Sequence, residues 1–574
     1  MTTNKKIYVP LLILLSAFFV AGTNSKTLVM KNYSEATDLI GCGPGTGETG
    51  YRTENGKFIT IMPGWGNHAY SISTENDSAQ IYFNQGLSMY YSYHQREAVA
   101  SFKEAARFDS SCAMIYWGQA LAMGPSYNFG YMYKMGKNVP GAIEMMNRTA
   151  SNASQKEKDL IGVMNKRYDI TDSADKQRKT LNELYAAAMK PLVAKYPDDL
   201  DIKALYTDAV MLLHSWDMWN NDGTPKPWTQ ELVQYCEDIL QKDPHHPAAL
   251  HYYIHVTEAS HKPEVALASA DSLKKLFPGV AHMVHMSSHE YERIGYYAKG
   301  VDANEKANRD IIIYDSLAKG LFPSIHVPHY YAVDAYCALS GAMYEKAIPK
   351  AMACRNSVKP THENTYQQYQ YMFPVFAMVR MGKWQDIIKD TTTINPDWTY
   401  AAIINDFAKG MAYAKMNNTA QAEKHLQMLE SRMKDSILRT KFSDYMSSPY
   451  ECAVVAENIL HATILFEQKK YDAAFIAINK SIAAEDNLLY SEPKMWILPA
   501  RQYAGYYMMR LNKPKEAEKI YREDLIWNPG NGWSLLGLYQ SLSAQNKKAE
   551  AEKYKPQYLN SFSHADVIPP ASAY

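Results

Sequence analysis

The same polar triplet occurs twice in the chain, one fixed interval apart. His251, His255 and Glu258 recur as His285, His289 and Glu292, each 34 residues later. A repeat of that length is the length of one helix–turn–helix unit. Such a unit cannot bury its apolar face alone, so neighbours must stack and share a continuous core. The rest of the chain agrees. From Ala79 onward there is almost no period-two alternation, and Ala is frequent where helices must approach closely. The 574 residues suggest roughly four domains at about 150 residues each, but the repeat replaces that division with one elongated array.

The landmarks of such an array are small residues on one helix and aromatics on the next. Residues 79–112 carry Tyr82, Gly86, Ala98, Phe102 and Ala105, and residues 498–531 carry Gly505, Tyr506, Ala517, Tyr521 and Pro529. A further unit opens with Trp533, Leu536 and Gly537, and residues 403–436 give Gly410, Ala422 and Leu426. These stretches resemble tetratricopeptide repeats. The wider set of segments looks like a family of exported bacterial tetratricopeptide proteins without a defined activity. It runs through Phe83-Asn-Gln-Gly86, Tyr116-Trp-Gly-Gln-Ala, His251 to Glu258, His285-Met-Ser-Ser-His289 and Asn531-Gly-Trp533. The resemblance implies an all-α fold, an α-solenoid of about ten helical hairpins wound into a superhelix. It also implies that the first helix of each hairpin lines a concave groove. The 44 tyrosines then serve mostly as packing between units. Inserts are expected at Gly124–Pro140, Trp216–Pro227 and Ser316–Pro328.

Residues three and four apart share a helix face, so each triplet projects its two His and its Glu together. His282 lies one turn before His285, and His326 and His329 stand just ahead of the next unit. Imidazole and carboxylate in this pattern suit zinc, iron, copper or manganese. The expected metal ligands are therefore His251, His255, Glu258, His282, His285, His289, Glu292, His326 and His329. The pattern is not the HExxH of zinc proteases, and it differs from the Glu-x-x-His of di-iron bundles. The bland alternative is that the histidines hydrogen-bond each other, a peptide, or an anion beside Arg293. Met283 and Met286 fall on the inward face and read as core filling.

Other groove candidates are Trp117, Asn128, Trp216, Asp217, Arg293, Glu492, Trp496 and Arg501, polar or aromatic groups at inserts and helix starts. His68 is expected at the surface. Lys5 and Lys6 followed by an apolar run to Ala21 have the layout of a secretory signal peptide. The expected organisation is a signal peptide at 1–24, a flexible leading segment at 25–74, the solenoid at 75–560 and a tail at 561–574. No membrane span is expected after cleavage. Residues 41–50, GCGPGTGETG, resemble a phosphate-binding loop whose lysine is replaced by Glu48, which would repel phosphate.

Sixty basic residues balance sixty acidic ones, which argues against a nucleic-acid partner. Six scattered cysteines do not make a disulfide framework. Two functions remain. One is an exported repeat protein whose histidine-rich metal site takes a small molecule or peptide, with Glu258 or Glu292 as ligand or base if it is an enzyme. The other is a non-catalytic scaffold that binds partner proteins.

Overall fold

Small-against-large packing sets the spacing of the helices. Phe102 is wedged between Gly86 and Gly118, where an added Cβ would stand 2.7 and 2.6 Å from its ring. Tyr521 fills the equivalent gap near the other end, where a Cβ on Gly505 or Gly537 would stand 2.4 or 2.3 Å from its ring. One aromatic thus locks its own hairpin to the next. Gly505→Ala is expected to cost about 1–3 kcal/mol by overpacking, read as a lower melting temperature. An unchanged melting temperature would mean that the Tyr521 ring moves aside freely.

The structure, a computed structural model, describes residues 56–128, 130, 133–318, 327–441 and 443–574. The leader at 1–24, the glycine-rich stretch at 41–50 and His326 lie outside the described residues. The described residues hold 25 α-helices, from Asp77–Tyr91 to Lys548–Ser561. They pair in chain order into twelve hairpins once Thr365–Tyr371 and Phe373–Arg380 are taken as one helix interrupted before Pro374. The described residues form an all-α solenoid of tetratricopeptide-like hairpins. Among the described residues no helix is long and apolar enough to cross a membrane. Cys112, Cys236, Cys337, Cys354 and Cys452 are free and buried.

Eight hairpins turn through a left-handed residue two positions before their second helix. These residues are Tyr93, Gly295, Ala342, Gly382, Asn417, Lys469, Asn512 and Asn546, with φ between 56° and 77°. Gly and Asn tolerate that conformation; a bulky side chain there is strained. Tyr93 is the bulkiest exception, and its ring belongs to the site described below.

The stack curls until its far end meets its middle. Gly295 and Gly530 approach so closely that a Cβ on Gly295 would lie 1.9 Å from the Gly530 carbonyl oxygen. Asn531 donates to the Tyr297 hydroxyl at 3.0 Å, and the Trp533 indole donates to the Ser340 carbonyl at 2.8 Å. Residues 56–76 form no helix but lie against the first hairpin and the histidine helices. Ile59, Met62, Trp65, Tyr70 and Ile72 are buried, and Gly279 N–H donates to the Gly64 carbonyl at 3.0 Å. The inner helices are therefore enclosed, not ranged along an open groove.

Candidate metal centre

Two adjacent inner helices, Pro247–Thr257 and Ala281–Arg293, carry the repeated histidines. Pro247 at the first turn and the His246 N-cap fix the start of the first. His251, His255, His282, His285 and His289 are at most 3% exposed. His329, on Val327–Ser340, is half-buried. Met283 and Met286 are fully buried in the core.

The six imidazoles form two groups of three, and the groups cut across the sequence repeats. In the first, His251, His255 and His282 bring ligand atoms within 4.8 Å of one another; in the second, His285, His289 and His329 do the same. His282 thus leaves its sequence neighbour His285 and joins the preceding unit, with its Nε2 3.1 Å from His251 Nε2.

Hydrogen bonds on the far side of four of the six rings fix their tautomers. His251 Nδ1–H donates to the Tyr91 carbonyl at 2.7 Å, and His255 Nδ1–H donates to Glu258 Oε1 at 2.9 Å. His289 Nδ1–H donates to Glu258 Oε2 at 3.1 Å. His285 Nδ1–H donates to Asn304 Oδ1 at 2.6 Å, and the Asn304 amide is oriented by its own N–H bond to the Gly300 carbonyl. In a neutral ring a proton on Nδ1 leaves a lone pair on Nε2. The buried His255 Nε2 has no hydrogen-bond partner. His285 and His289 turn Nε2 atoms toward each other at 2.9 Å. Two lone pairs at that distance repel, so a cation must be shared there, either a proton or a metal ion. Ring nitrogens aimed at a common point, with carbonyl or carboxylate partners behind them, are the second-shell pattern of metal-binding histidines.

Glu258 joins the two groups, since each of its oxygens accepts from a histidine of a different group. Burial would raise its pKa, but the facing His255 and His289 pull it down to about 2. Burial opposes charge on His289, yet the bond to Glu258 and its charge win, and its pKa is raised. Burial and the neighbouring His255 hold His251 well below the usual histidine range.

The repeat predicts a matching role for Glu292, and the structure breaks that symmetry. Glu292 is in neither group; it borders a small pocket with Arg293, Tyr297 and Lys494. Burial pushes its pKa up to about 8. Glu492 instead lies within reach of Glu258 and His289, and burial together with the Glu258 charge raises it to about 8.

A third cluster, His68, Asp201 and His246, does not share this chemistry. His246 Nδ1 accepts the Ala249 N–H at 3.4 Å, so its proton sits on Nε2, 3.6 Å from Asp201. His68 Nε2 and the Tyr91 hydroxyl donate to the same Asp201 oxygen at 2.8 and 2.7 Å. This is a carboxylate ringed by donors. His68, expected at the surface, is drawn in: its ring packs on Tyr91 and His246 and its Nε2 meets Asp201.

Tyr93 caps the first group, its ring centroid 4.5 Å from His251 and 5.7 Å from His282. Backbone strain held beside a functional group is a common sign of a positioned side chain. Its hydroxyl is buried without a partner. Tyr93→Phe is expected to raise stability by about 1 kcal/mol by removing that unsatisfied group. A loss of similar size in thermal unfolding would contradict this. Tyr330 stacks on His285 at 4.1 Å. The repeat register carried one signal for Tyr93, since it occupies a turn position that five of the other seven hairpins give to Gly or Asn. Asn304 had none.

Beside the centre lies a cavity of about 620 Å³. Trp216, Asp217, Arg293, Trp496 and Arg501, predicted as groove residues, all border it. Trp216 packs on Tyr127 at 4.9 Å, and Tyr127 on His255 at 4.8 Å, so one aromatic layer separates cavity from histidines. Trp117 is a core residue, and Asn128 is buried; neither borders the cavity.

No protein-family model matches the chain, and no curated protein matches it. Among solved structures, the human IFIT1 dimer with m7Gppp-AAAA is 13% identical, covers 85% of this chain and 90% of its own, and gives a TM-score of 0.29. A monomeric IFIT1 mutant with Gppp-AAAA is 12% identical, with 84% and 90% covered and a TM-score of 0.32. The APC/C hetero-tetramer Cut9–Hcn1 is 10% identical, with 86% and 76% covered and a TM-score of 0.26. At such scores the chains do not superpose as wholes, and nothing about the site follows from them.

Proposed function

We propose that this chain is an exported helical-repeat protein whose enclosed interior holds a dinuclear metal centre, and that a small molecule binds in the adjoining cavity. The observation that carries this reading is the tautomer pattern, above all the facing Nε2 atoms of His285 and His289 at 2.9 Å. Export rests on Lys5, Lys6 and the apolar run that follows.

The donor set narrows the metal. Three imidazoles per ion suit zinc or copper. Iron and manganese favour carboxylate oxygen, and the Glu258 oxygens are already engaged with two Nδ1 protons. Zinc would supply Lewis acidity, and copper one-electron chemistry. The chain's own residues hold the rings in register, exclude bulk water from the centre and keep Glu258 ionised between the two groups. Protons compete for the Nε2 positions, so affinity falls as pH drops, first at the second group, where the pKa of His289 is raised, and only at lower pH at the first, where that of His251 is lowered.

The test is the metal content of the mature protein purified from an exported preparation. Two equivalents of zinc or copper per chain are expected, as isolated or after reconstitution. No metal retained after reconstitution with either ion would contradict the reading and leave the protein-binding scaffold in its place.

A further inference from the structure

The cavity carries a charge arrangement that the metal centre does not explain. Four cations border it, and two of them are paired: Lys226 with Asp217 at 2.9 Å and Arg501 with Asp486 at 2.6 Å. Arg293 and Lys494 are not. Arg293 is 7% exposed, and its guanidinium donates only to the backbone carbonyls of Glu258, Ser260 and Trp527. The Lys494 ammonium donates to the neutral side-chain oxygen of Asn528. Neither makes an ion pair with a carboxylate among the described residues. Two half-enclosed cations side by side repel each other, and such groups are normally paired or face an anion.

We propose that Arg293 and Lys494 form the carboxylate-binding end of this cavity, and that its ligand is a small aromatic carboxylate. The two cations offer a fork and a point charge to one anionic group. The remaining wall is rich in flat rings, with Trp216, Trp219, Trp527 and Tyr445 bordering the same space. A volume of about 620 Å³ lies in the usual range for a small-molecule pocket. Burial raises the pKa of Glu485 and Glu292, which disfavours their charged forms, and burial beside the Arg293 charge lowers Lys494 to about 8, a shift that an anion held between the two cations would oppose. The Arg293 bond to the Glu258 carbonyl, 2.8 Å long, fixes the anion end beside the residue that links the two histidine groups. That the ligand would then sit next to a metal rests on the function proposed above; the binding site itself stands on cavity residues alone.

Isothermal titration with phenylacetate as probe and phenylacetamide as its neutral control tests the proposal, on both metal-free and metal-loaded protein. Phenylacetate is expected to bind at least tenfold tighter than the amide in both forms. Lys494→Met is expected to remove that preference while metal stoichiometry and melting temperature are kept. Lys494→Arg, which retains the charge, serves as the second variant and is expected to keep the preference. Equal binding of acid and amide, no binding of either, or an unchanged preference in Lys494→Met would overturn the proposal. Acid-selective binding in a protein that never takes up metal would sustain it while defeating the metal reading.

Discussion

His251→Ala is expected to lower bound metal from two equivalents to one. The first group then keeps only His255 and His282, too few ring nitrogens for a tight site, while His285, His289 and His329 are untouched. His285→Ala is expected to do the converse, and the double variant to bind none. The substitution also strands the Tyr91 carbonyl, which accepts from His251 inside the core. An unsatisfied buried group costs about 1–3 kcal/mol, so the metal-free variant should melt below the metal-free parent. Metal stoichiometry by elemental analysis reads the first effect and thermal unfolding the second. Retention of both equivalents in His251→Ala would mean that the first group is not a metal site.

Glu258→Gln is expected to weaken both halves together. The carboxylate accepts one Nδ1 proton on each oxygen. An amide offers one oxygen and one NH2, and the NH2 would face a ring N–H donor. One histidine must then move its proton to Nε2, which removes the lone pair aimed into its group. Loss of such a supporting partner typically costs about 10–100-fold in metal affinity. Glu292→Gln is the informative control. Its carboxyl is held near a pKa of about 8 and is largely protonated at neutral pH, and it joins neither group. Metal affinity should be unchanged there. A loss in Glu292→Gln equal to that in Glu258→Gln would restore the symmetric site that the repeat implies.

The repeat was legible because its causes are local. Gly86 and Gly505 are small because Phe102 and Tyr521 must fit beside them, and that constraint recurs at fixed spacing. The histidine faces were legible for the same reason, since positions i and i+4 share a helix side. The grouping was not. His282 turns to His251 rather than His285 because rings on neighbouring helices meet across the interface, and one sequence does not fix that pairing. Glu258 and Glu292 occupy equivalent repeat positions but meet different neighbours. The first faces two imidazoles, and the second faces residues such as Asn531 that return from more than two hundred positions along the chain. The same long-range closure hid the cavity, which draws Trp216 and Arg293 together with Lys494 and Trp527.

The central claim is that six imidazoles hold two ions through Nε2. X-ray absorption at the metal edge of protein loaded with two equivalents tests it most directly. The account predicts about three imidazole nitrogens per ion at roughly 2.0–2.1 Å for zinc, and no sulfur, since the five described cysteines are buried in the core and belong to neither group. A shell of fewer than two imidazoles per ion, or one dominated by oxygen or sulfur, would contradict it.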